Sequence, residues 1–80
     1  MTDELVSCRR IIARILLRAV RDAFAGDPEA WRWLLSKQAR RYGHWVGCPD
    51  MCALVAAMRQ MTERERLLWL NQFHGAYMHD

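Results

Sequence analysis

An all-α fold, a small compact bundle of four short helices, is what this sequence predicts, and three local observations carry the prediction. Apolar residues recur at helical spacing between Leu5 and Phe24, Gly26-Asp27-Pro28-Glu29 reads as a helix stop followed at once by a start, and Thr62-Glu63-Arg64-Glu65 has the form of a capping box. A single domain spanning residues 1–80 is expected, because 80 residues leave no room for a second core.

The first helix is expected over about Asp3–Ala25, with Thr2 as N-cap and the acids Asp3 and Glu4 complementing the helix dipole. At a hundred degrees per residue, Leu5, Cys8, Ile12, Ile15, Leu16, Ala19, Val20, Ala23 and Phe24 share one broad arc. The opposite arc is basic: Arg10, Arg14, Arg18 and Arg21 follow one another as a stripe along the helix. Arg9 projects from the apolar arc, where its stem can pack while its head reaches water or a carboxylate.

Gly26 then stands at a C-cap, Asp27 at an N-cap and Pro28 at the first helical position. The second helix is expected from Pro28 to about Tyr42, burying Trp31, Leu34, Leu35, Gln38 and Tyr42. Trp33 falls on its outer face with Ser36, Lys37 and Arg40. Gly43 is expected to end this helix, leaving His44–Gly47 as an ordered connector that tucks Trp45 against the core. Cys48-Pro49-Asp50 opens a third helix with Met51, Leu54, Val55, Met58 and Met61 inward, the methionines serving as pliable core filler. The capping box starts a fourth, whose inner stripe is Leu67, Leu70, Phe73 and Tyr77. Leu68 and Trp69 widen that stripe toward a second neighbour or a second chain, and the tail 78–80 is expected to fray.

Composition narrows the function classes. At 52% hydrophobic and 26% charged the chain has globular composition and is expected to fold, alone or on assembly. A core of this size supplies roughly 3–5 kcal/mol, which makes partner docking or a homodimer an expectation and disfavours a self-contained multistep enzyme. Twelve cations against nine acids permit an anionic partner without demanding one. Eleven of those cations are arginine, whose planar fork suits carboxylates, phosphates and aromatic faces, although GC-rich coding would give the same excess. Three cysteines, an acidic start and apolar runs broken by arginine predict a reduced, cytoplasmic protein with no export signal and no membrane span.

Few motifs carry chemistry. His44, Cys48 and Cys52 stand at four-residue intervals, but Gly47 and Pro49 interrupt a helical face and the fourth zinc ligand would have to be Cys8, His74 or His79. No metal and no cofactor is expected. Cys8 and Cys52 read instead as small buried hydrophobes, and Cys48 as a free thiol near a helix start with a lowered pKa. Catalysis by Cys48 with His44 and Asp50 lacks any supporting motif, and most carboxylates sit in first turns of helices, where capping explains them. An enzyme is therefore not expected. Nucleic-acid binding is the main chemical alternative: Arg10, Arg14, Arg18 and Arg21 could track phosphates while Trp33, Lys37 and Arg40 offer a stacking platform. Against it, such a stripe is commonly a solvated helix face, and Asp22, Asp27 and Glu29 lie near its end.

Two resemblances follow from these residues. Met61–Leu68 looks like the opening helix of LuxR-type helix-turn-helix domains, a likeness confined to the capping box that implies no DNA reading, since no turn and recognition helix follow. The stretch Ala13–Ser36, with its helix, Gly26-Asp27-Pro28 corner and Trp33-Leu34-Leu35-Ser36 helix, resembles short open reading frames of temperate phages from GC-rich bacteria, with a weaker echo at Val46–Val55. That resemblance implies a small phage accessory protein of the host cytoplasm, without catalysis, which binds and inhibits host machinery. The partner it implies is a host protein or ribonucleoprotein, and anti-CRISPR-type inhibition is its sharpest form. The expected anchors are Arg10, Arg14, Arg18, Arg21, Trp33, Lys37 and Arg40, arginine and tryptophan being the residue types that dominate interface energetics.

Overall fold

A computed structural model describes the backbone of residues 2–77 and the side chains of residues 8–76. Every regular element among them is helical: α1 (Thr2–Phe24), α2 (Pro28–Leu34), α3 (Lys37–Trp45), α4 (Met51–Gln60) and α5 (Glu63–Tyr77). The all-α expectation holds, with five helices where four were expected. Thr2 is already helical, and its expected capping side chain lies outside the described residues, as do Leu5, Tyr77 and the tail 78–80.

The extra helix comes from one hydroxyl. Leu35 ends α2 near αR (φ −93°, ψ 0°), Ser36 turns extended (φ −74°, ψ 163°), and the Ser36 Oγ accepts from the Ala39 N–H at 3.2 Å. Serine competes with the backbone for hydrogen bonds and so favours an N-cap over a helix interior. The expected single helix from Pro28 to Tyr42 is thereby divided. Leu35, expected inside, is 38% exposed, and Gln38 is exposed with its Nε2 donating to the Tyr42 hydroxyl at 3.1 Å.

The other boundaries follow local chemistry. Gly26 takes φ +102°, a region costly to residues with a Cβ, and Asp27 Oδ1 accepts from the Glu29 N–H at 2.9 Å, as expected for that corner. Before α4 the cap is Asp50, which accepts from the Ala53 N–H at 3.0 Å; Pro49 therefore precedes the cap instead of opening the helix. The capping box forms reciprocally: the Glu65 N–H donates to Thr62 Oγ1 at 3.2 Å and the Thr62 N–H to Glu65 Oε1 at 3.1 Å.

The core is one cluster in which α1 is the hub, contacting α2, α3 and α5, while α4 packs on α2 and α3. From α1 come Ala13, Leu16, Leu17, Val20 and Ala23, all buried, so the inner arc is turned toward Ala13 and Leu17 relative to expectation. Ile15 is partly exposed and Cys8 lies outside, as does Cys52 on α4, which corrects the reading of both thiols as buried hydrophobes. Met51, Val55 and Met58 fill the α4 side as expected. On α5 the inner stripe is Arg66, Trp69, Leu70 and Phe73, whereas Leu67 and Leu68 are 61% and 55% exposed.

Arg66 lies inside that stripe because it has three uses there. Its Nε and Nη2 both donate to the Met58 carbonyl at 3.3 Å, an acceptor in the last turn of α4. Its guanidinium also lies over the Phe24 ring at 4.7 Å and the Trp31 ring at 5.6 Å. Arg59 covers Trp31 at 5.0 Å. Phe24 meets Trp31 at 5.9 Å and Trp69 edge-on at 6.4 Å, and Trp69 stacks on Phe73 at 5.1 Å. Aromatic and cationic contacts thus join α1, α2, α4 and α5 at one end of the core.

Candidate functional site

Two surfaces group exposed arginines around a hollow. On α1 the stripe forms as the spacing requires: Arg14, Arg18 and Arg21 are exposed, and Arg10 is half-buried. Arg14, Arg18 and Arg21 line an open concavity of about 380 Å3 together with Asp22, over a floor made by the buried Leu17. The surface continues both ways. Toward α5, Arg14 and Arg21 share a hollow with His74. Toward α2, Arg18 and Asp22 share one with Ile15 and Trp33.

Trp33 therefore differs from expectation. It is half-buried against the core, its ring 6.1 Å from that of Tyr42, and it shares a hollow with Arg18 of α1. Because α2 ends at Leu34, Trp33 shares no continuous helical face with Lys37 and Arg40. The expected site is accordingly split: Arg14, Arg18, Arg21 and Trp33 come together, while Lys37 and Arg40 belong to α3.

On α3 the seating of the helix decides what faces outward. Ala39, Gly43 and Val46 are buried, one turn apart, so Arg40, Arg41, His44 and Trp45 fall on the other side. Gly43 does not end the helix. It lies within it because the chain passes too close for a side chain: a Cβ at this position would stand 2.7 Å from the Cys48 carbonyl oxygen and from Met51 Cγ and Sδ. The helix runs to Trp45, and Gly47, at φ +82°, makes the turn.

Trp45 is thereby carried out of the core it was expected to join and is 53% exposed. It lines an open hollow of about 340 Å3 with Arg40, Arg41, His44 and Pro49. Sequence reasoning missed this group because Gly43 was read as a stop. The available signal was the spacing of Arg40 to His44 and Arg41 to Trp45, two adjacent four-residue pairs that any helix continuing through Gly43 would place side by side.

The thiols and the metal reading resolve differently. His44 is exposed, Cys48 half-buried and Cys52 exposed; among the described residues no three His, Cys, Asp or Glu side chains are grouped to hold a metal ion. Burial pushes the Cys48 thiol up, opposite to the lowered value expected near a helix start. No helix among the described residues is long and apolar enough to cross a membrane. Comparison with known proteins gives no matching family model, no matching curated protein and no matching solved structure.

Proposed function

We propose that this chain is a binding module that acts by occupying an acidic surface of a partner protein, without catalysis, through the exposed face of α1. The observation that carries the reading is the continuity of Arg14, Arg18 and Arg21 with Ile15 and Trp33 across hollows that share Arg18 and Asp22. Guanidinium groups beside an aromatic and an aliphatic side chain form the composition from which interface hot spots are made. Arg18 supplies a planar donor for a carboxylate, and Trp33, held against Tyr42, supplies apolar area with little rotamer freedom left to lose.

In the form implied by the phage resemblance, the partner is host machinery, a protein or ribonucleoprotein, inhibited stoichiometrically in the anti-CRISPR manner. The alternative, phosphate tracking by the same arginines, fits this face less well. Asp22 stands in the same hollow as Arg14, Arg18 and Arg21, and a carboxylate there repels a phosphate while giving a protein partner's own cation a counterpart.

The test is comparative capture from bacterial lysate with tagged wild-type protein and the Arg14→Glu/Arg18→Glu variant, with helicity checked by circular dichroism. Both arginines are exposed, so the variant is expected to keep its fold. A stoichiometric protein partner held by the wild type and lost by the variant is the expected result. Retention of that partner by the variant would overturn the reading.

A further inference from the structure

Charge along the chain is distributed unevenly. Between Ala30 and Pro49 lie Arg32, Lys37, Arg40 and Arg41 and not one acid, while the rest of the sequence carries eight basic and nine acidic residues. The positive surplus of the whole molecule therefore resides in α2, α3 and the turn that follows them. Within that stretch the hollow lined by Arg40, Arg41, His44, Trp45 and Pro49 contains no carboxylate, in contrast to the α1 concavity, where Asp22 is present.

We infer that this face of α3 is a second binding site, whose ligand is a single-stranded nucleic acid, with one base stacked on the Trp45 indole and the adjoining phosphates on Arg40 and Arg41. Three features of the face select that class. The indole is half out of the fold, and an exposed indole is a platform on which any base can stack. Arg41 stands one turn before Trp45, and Arg40 beside it, so cationic groups flank the ring at the short range a sugar-phosphate step needs. The hollow is open, about 340 Å3, so a strand can lie across it without threading.

The competing anionic ligands use only part of this arrangement. An acidic peptide would satisfy the guanidinium groups and leave the indole without a partner. A duplex keeps its base faces stacked internally and likewise leaves Trp45 idle. A single strand engages both, and sequence preference is not expected, because stacking and phosphate contact carry none.

The test is fluorescence anisotropy with labelled oligo-dT, oligo-U, a blunt DNA duplex and poly-glutamate, at two salt concentrations, on the full chain. The single strands are expected to bind at low salt more tightly than the duplex or poly-glutamate, whether DNA or RNA. The logarithm of their affinity should fall with the logarithm of salt at a slope of about −1.4, two phosphates at roughly −0.7 each. Trp45→Ala is expected to weaken oligo-dT about tenfold, the worth of one stacked base. Arg40→Glu/Arg41→Glu should abolish binding, while Arg14→Glu/Arg18→Glu, which reverses as much charge on α1, should change it less than about threefold. Undetectable binding of single strands, equal affinity for duplex or poly-glutamate, an unchanged Trp45→Ala variant, or equal losses from the two charge reversals would each overturn the assignment. All three altered positions on α3 are exposed, and a melting temperature within a few degrees of wild type separates lost binding from lost fold.

Discussion

The same two residue types, arginine and aromatic, are put to opposite uses at two places in this small molecule. Around Phe24 they close the fold: Arg66 lies against two aromatic rings and donates to the Met58 carbonyl of α4, Arg59 covers Trp31, and Trp69 stacks on Phe73. Around Trp45 they open it: Arg40, Arg41, His44 and the indole line a hollow on the outer side of α3. Residue type does not distinguish the two, and in sequence both look like cations near aromatic rings. What separates them is whether a neighbouring helix covers the ring. At Trp31 and Trp69 one does, so the cation–aromatic contact stabilises the fold; at Trp45 the small side of α3 takes the inner place and the large side is left outward.

The largest effect expected from that contrast is a difference between two tryptophans. Trp69→Ala should destabilise the protein by about 3 kcal/mol, because it empties the position between Phe24 and Phe73. Trp45→Ala should lie within about 0.5 kcal/mol of wild type, as for surface positions away from packing. Urea unfolding of both variants checks this, and comparable losses would end the contrast. Next comes Arg66→Met, which keeps much of the stem but removes the guanidinium from the Met58 carbonyl and the two rings. About 2 kcal/mol is expected, against little or no change for Arg41→Met. The smallest effect lies at the start of α5, whose capping box orients the helix that carries Arg66. The Thr62 backbone N–H, with the Thr62 hydroxyl adding to it, holds the Glu65 carboxyl below its usual range. A depressed folded-state pKa contributes stability above the ordinary glutamate range, and that contribution is lost as pH falls through and below the folded value. Melting temperatures followed from about pH 6 to about pH 3 should therefore fall slightly more steeply for wild type than for Glu65→Gln, with circular dichroism as the readout.

How far sequence reading reaches here depends on the range of the interaction being read. Gly26-Asp27-Pro28 and Thr62–Glu65 formed where expected because caps are made by residues within three positions of one another. Ser36 follows the same local rule, but in sequence its cap is masked by Trp31, Leu34, Gln38 and Tyr42, which continue a helical stripe straight across it. The faces of the helices were harder. Leu67 is expected inward and stands outside, while Arg66 takes an inner place, because which side of α5 is covered depends on where Phe24 and Trp31 lie, positions far away in the chain. The candidate site divided for the same reason. The α1 stripe needs only helical spacing, and it formed; placing Trp33 beside Arg18, and Trp45 outside, needed the break at Ser36 and the close approach at Gly43.

The acid-free run from Ala30 to Pro49 bears on how the molecule would meet anything negative in solution. Its formal charge of +3 describes an average: along the chain, a segment with four cations and no acid stands between stretches whose charges nearly balance. On a cation-exchange resin it should elute later than a protein of equal net charge spread evenly along its sequence, because the cations of the adjoining α2 and α3 meet the matrix together.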